Sequence, residues 1–395
     1  MLLVSLLAGL SAPAAAQRPV TMEEAVASAL ATGPRVALAR ADSAAARAAV
    51  VTARAFPNPS LALDYTKDPP RRHVLLEQPL ELPWVRSARI GAARSAAEAA
   101  TYTLQAERAA VRYLVQAAYA RAAAAQEVRR LSERNARDGQ ELLRITQERQ
   151  RAGDASELDV ELARVTAGQL ESAALSDSAD ALLAVLDLQS LIGLATDRVE
   201  VTLADSLAAP QAAPPPVAPA RPLRVAAAEL ALRSRRSQEM FVRRSRVPVP
   251  SLRAGLDQGE PGGDNRALPA FGISLPLPVF NRGRGDVAEA HAEAVRAEAE
   301  LAQAQRESAA ARAAAERQRA VAIERVARDR LIVRDAQRVT EMSLTAYREG
   351  AAPLVNVLEA QRNARDALRQ YVTDLAASRT AEAAYLLAVS AGERP

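Results

Sequence analysis

The chain has 395 residues, of which 25% are charged and only 3% are aromatic, and its formal net charge at pH 7 is +4. Acidic and basic residues are interspersed. The densest basic runs, residues 233–236 and 243–246, lack the interleaved aromatics that nucleic-acid binding needs, so we expect no nucleic-acid partner. The chain has no cysteine, which excludes disulfides, thiolate metal sites and lipid attachment through cysteine.

Residues 1–16 predict a signal peptide. A short apolar stretch at residues 2–7 is followed by three alanines at residues 14–16, which offer a small-residue cleavage site before Gln17. A positively charged segment at the start is missing, and a buried N-terminal helix is the alternative. The signal-peptide interpretation predicts export of the chain from the cytoplasm.

Two helices are predicted next in the chain. Thr21 and Glu24 form a capping-box pattern that opens a short helix ending near Thr32. The Gly-Pro pair at residues 33–34 interrupts the pattern, and a second helix of about 22 residues follows up to Phe56.

Two much longer helices dominate the sequence. Residues 87–151 and 285–349 contain no proline and consist mainly of strong helix formers. At 1.5 Å per residue each makes a rod of about 100 Å. Such a rod is about three times as long as a bilayer is thick and is too charged for lipid, so we expect it to run through water against other helices.

Both rods are introduced and terminated in the same way. FPNPSL at residues 56–61 recurs as VPVPSL at 247–252, and GDASELDV at 153–160 recurs as GAAPLVNV at 350–357. The offset of about 197 residues is close to half the chain, which indicates one internal duplication.

The duplication defines the predicted domain organisation. We expect a first structural repeat at residues 17–204 and a second at 223–395, joined by a linker rich in proline and alanine at 205–222. Each repeat contains a helix, a strand pair, a rod and a returning helix of about 39 residues, at 156–194 and 353–390. The returning helix and the helix before the strands together nearly match the length of the rod.

Four strands are predicted from alternating apolar residues, at about 61–66, 73–82, 252–256 and 271–277. The apolar residues form one face of these strands. The alternate positions form the other face, which carries Asp64, Arg253 and Asp257. Strands of about ten residues suit a transmembrane β-barrel, but four strands cannot close one, and an open edge cannot lie in lipid. Either several chains pool their strands, or two solvated hairpins cap a soluble coiled coil.

Five segments, in this order and spacing, carry a resemblance to a known family. They are TMEEA at 21–25, PNP at 57–59, LPLPVFNRGRG at 275–285, YREG at 347–350 and VNVLEA at 355–360. The chain resembles the TolC-like outer-membrane efflux proteins, more closely their heavy-metal branch. The resemblance implies a mainly α fold with long antiparallel helical hairpins that form a periplasmic α-barrel. It also implies that four strands per chain contribute to a twelve-stranded β-barrel in a homotrimer.

The resemblance also implies a function. It implies a passive exit duct in the outer membrane that extends into the periplasm, contacts outer-membrane lipid and receives substrate from a periplasmic adaptor and an inner-membrane pump, of the RND type. Metal ions or small toxic compounds are the implied substrates, and both efflux and type I secretion stay open. The alternative is a periplasmic coiled-coil adaptor or scaffold.

The family pattern places a pore constriction at Asn356 and Glu359, where Asn356 stands in place of the usual carboxylate. It places a gate link between the two hairpins at Tyr347 and Asp159, and Ala352 occupies the position of the usual basic partner. Ordinary helix surface is the alternative for Glu359 and Asp159, and packing between helices is the alternative for Tyr347.

The two turns that end the rods are the implied adaptor contacts, at Gly153, Ser156, Gly350 and Pro353. Ser156 is a good N-cap for a following helix, whereas Pro353 is tolerated in a first helical turn.

No enzymatic or metal site is predicted. His73 and His291 lie far apart in the sequence, and without cysteine they cannot form a His- or Cys-based metal site within one chain. The GxG at residues 283–285 indicates a turn, and no serine lies in a nucleophile motif. We therefore expect neither an enzyme nor a bound cofactor or metal.

Overall fold

The computed structural model describes residues 18–68, 70–209, 222–259 and 267–390. The predicted signal peptide lies outside the described residues, as do residues 210–221 of the predicted linker. The remaining chain is mostly helical, as the sequence predicts.

The described part of the chain contains seven helices. They are α1 (Met22–Thr32), α2 (Pro34–Arg54), α3 (Pro83–Ala152), α4 (Glu157–Leu191), α5 (Leu223–Ser245), α6 (Arg284–Arg348) and α7 (Leu354–Val389). The predicted rods are α3, with 70 residues, and α6, with 65. Helix α3 begins at Pro83, four residues before the predicted start at Ser87. Proline is tolerated there, because the backbone N–H groups of the first helical turn have no partner within the helix.

Six strands occur in the same described ranges. They are β1 (Arg18–Val20), β2 (Ser60–Tyr65), β3 (Arg72–Pro79), β4 (Val201–Leu203), β5 (Ser251–Gln258) and β6 (Ala267–Ser274). The order β2-β3-β5-β6 forms one antiparallel sheet, so the two predicted strand pairs join within a single chain. Its strands have six to eight residues instead of about ten, since Pro79 ends β3 and prolines follow β6.

Strands β1 and β4 form a short parallel pair that the sequence analysis missed. The buried hydroxyl of Tyr119, on α3, donates to the Val20 carbonyl and accepts from the Asp205 amide, both at 3.0 Å. Burial raises the pKa of Tyr119. Strands of three residues are too short to show a period of two, so sequence alternation cannot reveal them.

Contacts divide the chain into two compact units, and each unit takes segments from both predicted repeats. Unit 1 comprises the described residues of Met1–Ala37, Arg108–Ala218 and Ala311–Val389. Unit 2 comprises those of Leu38–Glu107, Pro219–Ala310 and Ser390–Pro395. Unit 1 therefore holds both turns at the ends of the rods, and unit 2 holds the four-stranded sheet.

Small residues and an ion pair on the buried Asp177 hold the helices of unit 1 together. Gly139 of α3 lies against α4, where a Cβ atom would come within 3.4 Å of the Ala167 Cα. Arg369 of α7 forms a two-pronged ion pair with Asp177 of α4, with N–O distances of 2.5 and 3.2 Å. Ser132 of α3 donates to the same carboxylate, so three helices converge on one buried charge.

In unit 2, helix α5 uses its basic residues to reach the rods. Arg235 lies 3.7 Å from Glu293, and Arg236 lies 3.0 Å from Glu298, both on α6. All four side chains are exposed, so each pair adds at most about 1 kcal/mol. The basic run at 233–236 is thus a solvated helix face, as predicted.

Candidate functional site

The two turns that follow the rods have the same backbone geometry. Gly153 and Gly350 both adopt positive φ, +85° and +76°. In each turn the glycine amide bonds to the carbonyl three residues back at 3.0 Å. The next amide bonds five residues back at 2.8 Å. This pair of bonds is a Schellman motif, in which a residue without a side chain avoids the strain of positive φ. The sequence duplication therefore appears in the hydrogen bonds.

The first turn is closed by its own side chains. Ser156 Oγ accepts from the Asp159 amide at 3.2 Å. Asp159 Oδ2 in return accepts from the Ser156 amide at 3.0 Å and from its hydroxyl at 2.8 Å. This capping box satisfies amide groups at the start of α4 that no helix bond can reach. The carboxylate predicted for the gate link is thus occupied within its own turn.

The second turn packs through Tyr347, whose exposed fraction is only 4%. Its ring belongs to an apolar cluster with Leu142 of α3, Ala163 of α4, and Leu354 and Val357 of α7. With Tyr347 itself on α6, four helices meet in this cluster. Its hydroxyl lies 3.4 Å from Thr146 Oγ1 on α3. Within the single chain, Tyr347 and Asp159 therefore have different partners. Tyr347 packs between helices, which is the alternative role that the sequence analysis gave it.

Arg149, in the last turn of α3, connects the two turns. One guanidinium nitrogen donates to the Tyr347 carbonyl at 2.6 Å, and the other donates to the Asp154 carbonyl at 3.3 Å. The guanidinium carbon also lies 4.5 Å from the centre of the Tyr347 ring. Sequence reasoning missed this residue because one arginine in an arginine-rich helix end gives no distinct signal, although a basic last turn favours carbonyl contacts.

Asn356 and Glu359 lie in the first turns of α7, and both are exposed in the single chain. Their spacing of three residues puts them on one face of the helix. Pro353 comes directly before α7, and its carbonyl accepts from the Asn356 amide at 3.2 Å. The second turn therefore presents uncommitted side chains at this face, whereas the Asp159 carboxylate of the first turn is bonded.

The four-stranded sheet has two chemically different faces. The strand register aligns Leu61, Leu76, Ala254 and Phe271 across one face, with further apolar rows on either side. The large side chains of these rows are exposed, Phe271 by 83%. An exposed apolar band of this kind marks a surface that contacts lipid or another protein.

The opposite face is polar. The register places Asp64, His73 and Asp257 side by side on three neighbouring strands, and His73 Nδ1 lies 2.8 Å from Asp257 Oδ1. Arg253 donates to Glu77 at 3.1 Å on the same face, four residues further along the two strands. The predicted polar residues therefore do lie on one face, and Glu77 is an addition that the sequence analysis missed.

Comparison with known proteins points to one family. Residues 216–390 match the family model described as "Outer membrane efflux protein". The second half of the chain is thus similar to the outer membrane efflux proteins. Over 288 residues the chain is also 28% identical to the cobalt-zinc-cadmium resistance protein CzcC of Cupriavidus metallidurans, a match that covers 71% of this chain and 68% of the relative.

Solved structures show the same fold over nearly the whole chain. The outer-membrane channel OprN matches with a TM-score of 0.79 and 19% identity, covering 94% of this chain and 90% of that chain. CusC, described as forming a transmembrane channel, matches with a TM-score of 0.74 and 16% identity, covering 94% and 92%. The predicted fold class, the predicted resemblance to the TolC-like family and the outer-membrane location are confirmed.

Two further observations concern the described residues of the chain. No helix among them is long and apolar enough to cross a membrane. Within the same ranges, no three His, Asp or Glu side chains gather closely enough to hold a metal ion.

Proposed function

We propose that three copies of this chain form a passive outer-membrane duct, whose substrate arrives through a periplasmic adaptor from an inner-membrane pump of the RND type. The observation that carries the proposal is the four-stranded sheet, which has one exposed apolar face, one polar face and two open edges. Each of these three features requires a contact that a single chain does not supply.

The open edges require further copies. Strands β2 and β6 stand at the two ends of the sheet, and each pairs with one neighbour among the described strands. Unpaired backbone N–H and C=O groups cannot lie in lipid, because each unmet group costs several kcal/mol. Pairing β6 of one copy with β2 of the next removes both edges, and three copies give a barrel of twelve strands.

In such a barrel the apolar face contacts lipid and the polar face lines the lumen. The polar face carries three carboxylates, Asp64, Glu77 and Asp257, against one arginine, Arg253. Repeated three times, this excess of negative charge attracts cations into the lumen. Together with the similarity to a cobalt-zinc-cadmium resistance protein, it favours divalent metal cations over uncharged toxic compounds as the substrate.

The two turns are the proposed contacts with the adaptor, and the second turn is the proposed constriction. Asn356 and Glu359 would each occur three times around the axis of a trimer. Like charges held close together attract cations, so Glu359 gives the constriction its preference.

The test of the duct is mass and conductance. Light scattering of the detergent-solubilised protein should give the mass of a trimer, and planar bilayers should show cation-selective channels. Glu359→Gln should lower the cation preference, while Glu23→Gln, an exposed carboxylate in α1 and outside both turns, should leave it unchanged. A stable monomer in the membrane, or a channel whose selectivity neither variant alters, would overturn the proposal.

The test of the orientation is crosslinking. A cysteine at Ala155 or Ala351 should crosslink to the adaptor in cells, and one at Asp68 in the turn between β2 and β3 should not. The reverse pattern would mean that the adaptor meets the sheet end of the chain.

A further inference from the structure

Two aspartates face each other inside the second hairpin, which α6 and α7 form. Asp329 of α6 is exposed by only 8% and Asp374 of α7 by only 6%. The Asp374 carboxyl lies within hydrogen-bonding range of Asp329. Nearer the turn, the same two helices are joined by Thr340 Oγ1, which donates to the Ala360 carbonyl at 3.1 Å. Both carboxyls are thus buried within a single chain, and no second copy is needed to enclose them.

The duplication shows which residue each aspartate replaces. At the offset of 197 residues, Asp374 corresponds to Asp177 of α4, so both hairpins carry a buried aspartate at this place. Asp329 corresponds to Ser132 of α3. In the first hairpin, which α3 and α4 form, the Ser132 hydroxyl donates to the Asp177 carboxylate. The second hairpin therefore has a carboxyl group where the first has a hydroxyl donor.

A carboxyl group can take the place of that hydroxyl only when it carries a proton. An ionised carboxylate only accepts hydrogen bonds, whereas a protonated carboxyl has an O–H group that donates one. Two ionised carboxylates within hydrogen-bonding range repel each other, and burial adds the cost of removing both charges from water. A single proton on the pair removes the repulsion and supplies the missing donor.

The hydrogen bonds around the pair assign the proton to Asp329. Its Oδ2 atom is buried, and no hydrogen-bond donor among the described residues reaches it. Asp374 Oδ2, by contrast, accepts from the Gln370 side-chain amide at 2.8 Å, and Asp374 Oδ1 lies 4.0 Å from a guanidinium nitrogen of Arg325. These donors favour the ionised form of Asp374, whereas nothing comparable favours an ionised Asp329.

The charged groups around the pair leave the pKa of Asp329 raised, first because of burial and then because of Asp374. Arg325 and Arg328 on α6 act against this shift, but both are exposed, so water screens them. A cavity beside Asp374 is also lined by Asp177 and Arg369, which pair with each other. The other charged residues that line this cavity are Asp180 of α4, Arg121 of α3 and Arg317 of α6.

We propose that Asp329 and Asp374 form a proton-binding site, in which a protonated Asp329 donates a hydrogen bond to Asp374 and thereby joins α6 to α7. An unfolded aspartate has a pKa of about 3.9, and the pKa of the folded Asp329 is higher. The stability that the proton contributes is therefore present below the unfolded pKa and is lost as the pH rises through the folded pKa.

The site makes the second hairpin sensitive to pH. This hairpin contains the turn with the proposed constriction, so weaker contact between α6 and α7 at higher pH favours opening there. That consequence rests on the proposed function, whereas the proton site itself depends only on residues within one chain.

Hydrogen exchange in α6 and α7, measured by mass spectrometry at a series of pH values, tests the site. Asp329→Asn provides an N–H donor at every pH, and Asp329→Ser restores the residue of the first hairpin. At equal pH, the exchange rate of the natural chain divided by that of either variant should rise with pH. The rise should be about tenfold for each unit by which the folded pKa exceeds the unfolded pKa. Asp335→Asn, an exposed aspartate on the same helix, is the matched control and should show no such rise.

Infrared spectroscopy locates the proton. At about pH 5, where an ordinary aspartate is mostly ionised, the natural chain should show the C=O band of a protonated carboxyl. The difference spectrum against Asp329→Asn should contain this band, and the difference spectrum against Asp335→Asn should not. A rate ratio that stays flat with pH, or a difference spectrum against Asp329→Asn without the band, would overturn the proton site.

The outcomes separate this inference from the proposed function. Light scattering should give the mass of a trimer for the natural chain and for Asp329→Asn alike. A conducting trimer without the infrared band would overturn the proton site and leave the duct intact. A monomer that keeps both the band and the rising rate ratio would instead overturn the proposed trimer and support the proton site.

Discussion

The two turns at the ends of the rods share a backbone but not their side chains. Their hydrogen bonds match in partner spacing and length, 197 residues apart. At that offset Gln150 corresponds to Tyr347, and Arg149 corresponds to Ala346. Further on, Ser156 corresponds to a proline.

This difference makes the second turn depend on the first. The first turn is stabilised by its own capping box, whereas the second is held by its buried tyrosine and by Arg149 from the first hairpin. The two turns thus share a backbone conformation, but the first turn is self-contained, whereas the second turn is dependent on a residue of the first hairpin. The dependent turn is also the one that carries the proposed constriction.

The largest expected effect is at the buried tyrosine. Tyr347→Ala should destabilise the protein by about 3 kcal/mol, because it removes a ring from a closed apolar cluster. Thermal unfolding of the detergent-solubilised protein, followed by circular dichroism, should show the loss. The corresponding Gln150→Ala should change little, since Gln150 is exposed. Equal effects at both positions would show that the two turns do not differ in packing.

The same position gives a sharper control. Tyr347→Phe should cost less than about 0.5 kcal/mol, because the hydroxyl lies at the outer limit of hydrogen bonding from Thr146. A loss as large as that of the alanine variant would mean that the hydroxyl, not the ring, holds the second turn.

The next effect is at the residue that links the turns. Arg149→Ala should remove about 2 kcal/mol of local stability, because it deletes a charged hydrogen bond and a ring contact. Hydrogen exchange measured by mass spectrometry should accelerate by at least about tenfold at residues 348–352. Arg151→Ala, an exposed arginine in the same helical turn, is the matched control. Faster exchange only in the first turn would contradict the proposed dependence.

The glycines should respond equally. Gly153→Ala and Gly350→Ala should each cost about 1–2 kcal/mol, since positive φ strains any residue with a Cβ atom. No atom lies closer than 4.0 Å to a Cβ built at either site, so the cost comes from the backbone alone. Exchange rates at the two turns should rise by similar factors. Clearly unequal factors would show that side chains modify the shared backbone motif.

The smallest expected effect separates the two helix starts. Ser156→Ala should cost about 1 kcal/mol and speed exchange at the start of α4, because it removes a capping bond. Pro353→Ala should cost less at the start of α7, since proline there acts mainly by restricting the unfolded chain. The opposite ranking would mean that the second turn, and not the first, stabilises itself.

Much of this fold is predictable because it rests on local rules. Long runs of helix formers without proline predict α3 and α6, and Thr21 with Glu24 predicts the start of α1, where the capping box is observed. Alternating side chains predict β2, β3, β5 and β6, although prolines shorten them. The pair of β1 and β4 escapes prediction, because it depends on Tyr119, far away in the sequence.

The sequence by itself therefore determined the helices, the duplicated turns and the two faces of the sheet, since neighbouring residues set all of these. Only the tertiary structure decided which side chains hold the turns. Arg149 meets Tyr347 across 198 residues, and the predicted partner Asp159 turns back to Ser156 instead. A capping bond three residues away costs little chain entropy, so the carboxylate uses the nearer partner, whereas the arginine reaches its partner only after the rods have packed.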